Sequence, residues 1–520
     1  MITNNRGERT WEEMKMEQRI SGGMIERLDA YREKLREVYC EIPVKGIYYN
    51  SRSSMDFSFE ASDNKLHRVN LDPMVSSVIV SSVVPKSCVL YKGGHGGGKT
   101  SMIEETSSSI FAVPKKDIVE AMIRGNDDQN VNTLLASYNI GKLLTKGDEE
   151  VRWRKFVTCP VKIIDELNRF PPTAQNALFE ILNKGRVEFG GGHIYEVDDF
   201  EVFATENPND VGTYPMSRPF LDRFGLCIPA PQLPSAEDLM ALSSRRDDKL
   251  YAFEASKRNI DIKEAKELEK LVNDTVRISN DGLLYMIYFA QALATCSRGD
   301  FSDKSHSCLA VGERCKGCEY DTKETLCQYS QDGFSGRAFL DLQRWSKGYA
   351  FFLDAFKDKA NPEVQQGIVE AIAPYVLYHR VEPNEAIFTK EPFFGRKLEY
   401  LKTMAEKARK SYATVRAPLL EIPDILSGKL APEKAKIYEV KKDLVVKEHF
   451  LPIVEAAKLE EFRALYKGLD EALELTEQEI IDLEKTMTFN TSIPARAKAF
   501  LRAKALTKLK GGESQGAQTL

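Results

Sequence analysis

The octapeptide Gly93-Gly94-His95-Gly96-Gly97-Gly98-Lys99-Thr100 constrains this chain more than any other stretch, because it fits the pattern GxxxxGK[ST]. The apolar run Cys88 to Leu90 precedes it, and a helix-compatible stretch from Thr100 to Ser107 follows. In a strand–loop–helix setting the glycines let backbone N–H groups point inward, at the positive end of the helix. Such a loop cradles phosphates. Gly93 to Gly98, with His95 among them, and Lys99, Thr100 and Ser101 are therefore the candidate nucleotide-binding residues. Lys99 would reach the β and γ phosphates, and the Thr100 hydroxyl would bind Mg²⁺.

Apolar runs alternate with helical stretches around this loop: Cys88 to Leu90, Ile110 to Val113, Val161 to Ile164, Val202 to Ala204 and Leu226 to Ile228. The alternation predicts an α/β core, a parallel five-stranded sheet with helices on both faces. In such a sheet strand ends share one edge, where ligands bind. Val161-Lys162-Ile163-Ile164-Asp165-Glu166 brings two acids there, Asp165 to hold the Mg²⁺ shell and Glu166 to orient and activate water. The run from Glu201 delivers Asn207, a neutral amide that can hydrogen-bond that water without repelling the γ-phosphate.

With these residues in hand, the segment Asp165-Glu166-Leu167-Asn168-Arg169-Phe170-Pro171-Pro172 resembles the DEINRAPP segment of MoxR-type AAA+ ATPases. The similarity continues in family order through Gln175 to Leu178, Arg186-Val187, Ala204 to Pro208, Gly212 to Pro215 and Phe220 to Phe224. It covers about Leu71 to Val381, some three-fifths of the chain. The resemblance implies a P-loop AAA+ core with an all-α lid and a hexameric ring. It places Asn207 at sensor 1, Arg223 at the arginine finger reaching a neighbouring subunit, and Arg337 of Ser335-Gly336-Arg337-Ala338 at sensor 2. Lys99, Asp165, Glu166, Asn207, Arg223 and Arg337 are thus the expected catalytic set. The family's LPEAQLDRF reads here Met216 to Phe224, so Arg218 is a second candidate for the contact between subunits. The resemblance further implies a protein client, a von Willebrand A domain partner and chaperone-like work. Two rivals stand beside it: a nucleic-acid motor, and a low-turnover nucleotide switch.

A β-hairpin is predicted from Val187-Glu188-Phe189, a Gly190-Gly191-Gly192 turn and Ile194 to Val197. It either faces a ring's central pore or extends the sheet. The segment from Lys115 to Lys155 matches the family poorly and is where a substrate-contacting insertion would lie.

Nine cysteines in 520 residues are no disulfide scaffold, but five fall between Cys296 and Cys327. Cys308-x6-Cys315-x2-Cys318-x8-Cys327 places four thiols where Zn²⁺ or an iron–sulfur cluster would suit equally, with Cys296 and His306 just upstream. Such a knuckle would be a docking surface or a staple for a long loop.

The chain divides by pattern into an N-terminal helical and β extension (1–69), the nucleotide-binding core (70–232) and a helical lid (233–385). The lid holds the Cys-rich insertion 296–333, and a helical C-terminal region (386–520) ends in a polar, disordered tail. One or two helices are expected before Val38, since Gly22-Gly23 interrupts the periodicity. From Pro494 to Lys510 a helix carries Arg496, Lys498, Arg502, Lys504, Lys508 and Lys510 without acids. That basic helix reads as a solvated face, or as a contact for nucleic acid, an acidic partner or a neighbouring subunit. A net charge of −5 gives no global pull toward nucleic acid or anionic lipid. No run approaches the roughly 18 apolar residues of a membrane span. The N-terminus lacks a signal-like core, so a cytoplasmic location is expected.

Overall fold

The structure, a computed structural model, describes residues 11–44, 53–60, 65–94, 96–111, 113–130, 134–146, 149–190, 192–197, 200–230, 235–243, 262–295, 326–330, 334–356, 362–472 and 474–509. The sequence-predicted tail beyond Leu509 lies outside these residues.

Helix α1 (Trp11–Val44) runs unbroken through Gly22-Gly23. Leu28, Tyr31, Leu35, Val38 and Ile42 recur three or four apart and are buried, which packs the helix from Leu28 onward against the rest of the chain. Its cations bind what it packs against. Lys34 Nζ donates to Ile110 O at 3.3 Å and Arg36 Nη1 to Ala355 O at 3.2 Å, while Arg32 Nη1 pairs with buried Asp354 at 3.0 Å. Strands β1 (Met55–Glu60) and β2 (Leu66–Leu71) form an antiparallel hairpin. Helix α2 (Pro73–Ser81) is wholly buried and is capped by Asp72, which accepts from Met74 N and Val75 N at 2.9 Å each. Its serines survive burial because their hydroxyls donate to carbonyls a turn back, and Ser76 and Ser77 also meet the Tyr349 and Tyr91 hydroxyls.

The core then runs β3 (Cys88–Lys92), α3 (Lys99–Ile110), α4 (Lys115–Ala121), β4 (Ile123–Arg124), β5 (Ala136–Tyr138), α5 (Ile140–Lys146), β6 (Val151–Trp153), α6 (Lys155–Thr158) and β7 (Val161–Asp165). It continues with α7 (Pro172–Lys184), β8 (Arg186–Phe189), β9 (His193–Glu196), β10 (Glu201–Glu206), α8 (Arg218–Leu221) and β11 (Leu226–Pro229). The main sheet has the order β11-β3-β10-β7-β4, and every neighbouring pair is parallel. Strand alternation divides its side chains. Val89, Tyr91, Ile163 and Phe203 join a core with α2 and α3, whereas Leu90, Ile164, Val202 and Ala204 join one with α7.

One expected strand is corrected. Ile110 is the last residue of α3, and Phe111 closes that helix with its N–H on Ser107 O at 2.9 Å. The fifth strand is instead β4, whose two residues pair with Ile164 and Asp165. A strand that short carries no periodicity to read. The hairpin β8–β9 forms as expected, Val187 opposite Tyr195. It packs on the antiparallel pair β5–β6 through rings: Tyr138 lies 5.3 Å from Phe189 and Trp153 5.4 Å from Tyr195.

Beyond the core the described chain is mostly helical. The lid helices are α9 (Ala236–Ser243), α10 (Ile262–Thr275), α11 (Asn280–Ala294), α12 (Gly336–Leu353) and α13 (Gln366–Leu377). After α14 (Glu385–Phe388) come α15 (Lys397–Leu420), α16 (Ile422–Leu426), α17 (Leu451–Ala456), α18 (Glu460–Glu471), α19 (Glu477–Phe489) and α20 (Ala495–Leu506). The basic helix α20 spends much of its charge internally. Arg502 pairs with Glu484, Lys504 with Asp470 at 2.7 Å, and Arg496 meets His449 Nδ1 at 3.0 Å.

A buried ion pair joins lid to sheet. Glu201, at the start of β10, has no exposed side-chain surface; it accepts from Ser87 Oγ at 2.5 Å and from Lys266 Nζ of α10 at 2.8 Å. Burial pushes the Glu201 carboxyl up to about 7, against the pull of Lys266. Removing one partner of a buried pair strands the other charge. Lys266→Met is therefore expected to lower unfolding free energy by about 3–5 kcal/mol, read from the denaturant midpoint. A loss below about 1 kcal/mol, the range of an exposed pair, would show that this contact does not hold the lid.

Candidate functional site

Three strand ends make the site. β3 leads into the glycine loop, β7 ends at Asp165 and β10 at Glu206, all on one sheet edge because the strands are parallel. Gly93 N donates to Glu206 O at 2.9 Å, so the loop starts while still tied to β10. A side chain at Gly93 would put its Cβ 2.8 Å from Ala230 O, and only glycine fits that approach. Gly96 and Gly98 take φ of 77° and 67°, the left-handed region that turns the loop into α3.

The cleft so formed is lined by Gly96, Gly97, Gly98, Lys99, Thr100, Ser101, Asp165, Glu166, Thr205, Glu206 and Asn207. Lys99 Nζ donates to Gly93 O at 2.9 Å and Gly94 O at 2.5 Å. Burial pushes this ammonium below its ordinary value, while Asp165 and Glu166 pull it back up. Thr100 Oγ1 donates to Asp165 Oδ1 at 3.1 Å. Asn207 is buried at the cleft, and its carbonyl accepts from Asn168 Nδ2 at 2.8 Å.

The structure thus brings together most of the sequence-predicted set. Gly93 and Gly94 lie at the base of the loop rather than in the lining, and His95 falls outside the described residues. Arg223 and Arg337 do not line the cleft. Arg337 Nη1 donates to Asp222 Oδ2 at 2.7 Å, and Asp222 also accepts from Arg380 Nε at 2.9 Å. Arg223 lies over the Phe179 ring, 5.0 Å from its centre, and its buried Nε has no hydrogen-bond partner among the described residues. Burial first, then the charge of Arg337, pushes Arg223 below its usual value. The alternative candidate, Arg218, pairs with Glu382 of the segment after α13.

Thr205, like Glu206, is a lining residue that the pattern reading gave no role. Its hydroxyl donates to Asp165 Oδ1 at 2.6 Å and accepts from Glu166 N at 2.9 Å, clamping the two acids. A hydroxyl inside an apolar strand, one residue before an acid, was the available signal. Arg124 was equally silent: β4 sets it beside β7, its Nε 4.0 Å from Asp165 Oδ2.

Oxygen donors dominate the cleft, which suits Mg²⁺ better than a thiophilic metal. Among the described residues no three His, Cys, Asp or Glu side chains form a metal-holding group. Of the cysteine cluster, Cys308, Cys315 and Cys318 lie outside the described residues, as do Cys296 and His306; Cys327 sits in the turn Leu326–Gln328. No described helix is long and apolar enough to cross a membrane.

Residues 129–226 match the family described as ATPase family associated with various cellular activities (AAA). Over 156 residues the chain is 29% identical to the "Uncharacterized protein YeaC" of Bacillus subtilis, covering 29% of this chain and 44% of that protein. Over 165 residues it is 29% identical to "Chaperone MoxR1" of Mycobacterium tuberculosis, covering 30% of this chain and 39% of that protein. These matches span less than half the length of either relative. The fold is shared with a crystal structure of a "putative ATPase" from Cytophaga hutchinsonii, with a TM-score of 0.53 and 21% identity over 75% of this chain and 98% of that one. Fold, motif order and these similarities together make this chain similar to MoxR-like AAA+ ATPases, with the AAA match confined to residues 129–226.

Proposed function

We propose that this chain hydrolyses ATP within a ring and couples the cycle to remodelling a protein client. The observation that carries the reading is the meeting of Lys99, Thr100, Asp165, Glu166 and Asn207 in one cleft beside the glycine loop. The loop carbonyls that now hold Lys99 keep its ammonium where γ- and β-phosphate oxygens would compete for it. Thr100 and Asp165 would hold Mg²⁺, whose charge offsets that developing on the phosphates. Glu166 takes the proton of a water attacking the γ-phosphorus, the bond to the β-phosphate oxygen breaks, and ADP and phosphate leave. Asn207 orients that water.

Arg223 lies outside its own cleft lining, which suits service to a neighbouring copy's γ-phosphate, while Arg337, paired with Asp222, would act as the sensor 2 arginine of the lid. This supports a ring, six-membered by the family resemblance. Client remodelling is carried over from a relative named a chaperone, and a von Willebrand A domain protein is the partner that the family resemblance implies. The nucleic-acid motor is disfavoured by the internal pairing of Arg502 and Lys504.

Glu166→Gln is expected to cut turnover on the order of 10²- to 10⁴-fold while ATP still binds, read by phosphate release beside a fluorescent-nucleotide titration. Turnover equal to wild type would remove Glu166 from the chemistry. Arg223→Ala is expected to cut it on the order of 10³-fold or more, with the wild-type specific activity rising with protein concentration. Concentration-independent activity, or strong stimulation by DNA, would replace the ring remodeller with a lone-subunit enzyme or a motor.

A further inference from the structure

Glu166 is held from two sides. Its backbone stands at φ 54°, a left-handed conformation that a residue with a side chain adopts at a cost. Thr205 accepts its N–H, and Gly125 runs so close that a Cβ there would lie 2.2 Å from Glu166 O. The Gly125 N–H is meanwhile bonded to Asp165 O at 2.8 Å, so β4 buttresses the turn.

The side chain is held by Arg169. Its Nη1 stands 3.2 Å from Glu166 Oε2, and its Nε donates to Asp210 Oδ2. Arg169 does not line the cleft, whereas Glu166 does. Asp210 belongs to the loop after Asn207, and that loop is tied back by Tyr214 N on Asn168 O at 2.7 Å. One guanidinium therefore joins Glu166 to the loop that follows Asn207. All three side chains are half-buried or less exposed, at 36% for Arg169, 26% for Glu166 and 14% for Asp210, so solvent screens the pairing only in part.

Resting on the reading that this cleft hydrolyses ATP, we propose that Arg169 is a positioning residue that sets the Glu166 carboxylate and that Asp210 aims Arg169. A planar guanidinium can serve two acids at fixed angles, where a lysine ammonium is a point charge on a flexible stem. The arrangement links the state of the loop after Asn207 to the readiness of the base.

The test is steady-state kinetics on the full chain, with affinity for a non-hydrolysable ATP analogue and a thermal melt measured alongside. Arg169→Ala is expected to lower kcat on the order of 10- to 100-fold, with KM and analogue affinity within about threefold. Arg169→Lys recovers only part of the loss. Asp210→Asn lowers kcat less, and adding it to Arg169→Ala costs nothing more, because its route to Glu166 is gone. Full kcat in Arg169→Ala overturns the proposal, as does a double variant whose loss equals the product of the single losses. So do equal losses in kcat and analogue affinity with a lowered melting temperature, the mark of a merely structural arginine. A wild-type chain without turnover overturns the ATPase reading itself, and the wild-type rate therefore separates the two failures.

Discussion

Strand β10 lies between β3 and β7 in parallel register, and the position of everything else at the site follows from that pairing. Phe203 sits level with Val89 and Ile163, so three strands reach the same sheet edge within a residue or two of one another. Lysine, threonine, two acids and an amide, distant in sequence, arrive there as neighbours. Parallel strands demand crossovers, and the crossovers are where the chain places α3, α7 and the ring-packed hairpins. The central strand is anchored at its other end too, where Glu201 takes hydrogen bonds from Ser87 and Lys266.

A second junction gathers around Asp222. One carboxylate accepts from Arg337 of the lid and from Arg380 after α13, and Arg380 also reaches Asp341 at 2.5 Å. The residue next to it, Arg223, is left over an aromatic face with a buried, unbonded Nε. Burial and the charge of Arg337 disfavour the Arg223 cation, while Asp222 and Glu180 favour it.

The sequence made the sheet edge legible because its chemistry is written in contiguous words: a glycine loop, a strand ending in Asp165-Glu166, a strand ending near Asn207. What stayed hidden depends on neighbours that are remote in the chain. Thr205 matters through its bonds to Asp165 and Glu166, and the only local sign of them is a hydroxyl inside an apolar strand. Arg169 stood in plain view within the family-like segment, yet its reach to Asp210 is a tertiary fact. The strand expected at Ile110–Val113 failed for the opposite reason: an apolar run was read as extended, but it closes a helix whose last turn is buried. The basic helix likewise looked like a free cationic face, because Glu484 and Asp470 come from two other helices.

Helix α1 carries a consequence for movement. It grips the carbonyl end of α3 through Lys34 and the end of the lid helix α12 through Arg32 and Arg36. The two gripped ends lie within about one helical turn of each other along α1, since the three cations are separated by two residues each. The N-terminal helix is therefore a rigid tie rod of nearly zero length between the helix that follows the glycine loop and the lid. A displacement of α12 relative to α3 would have to stretch or break these contacts on α1.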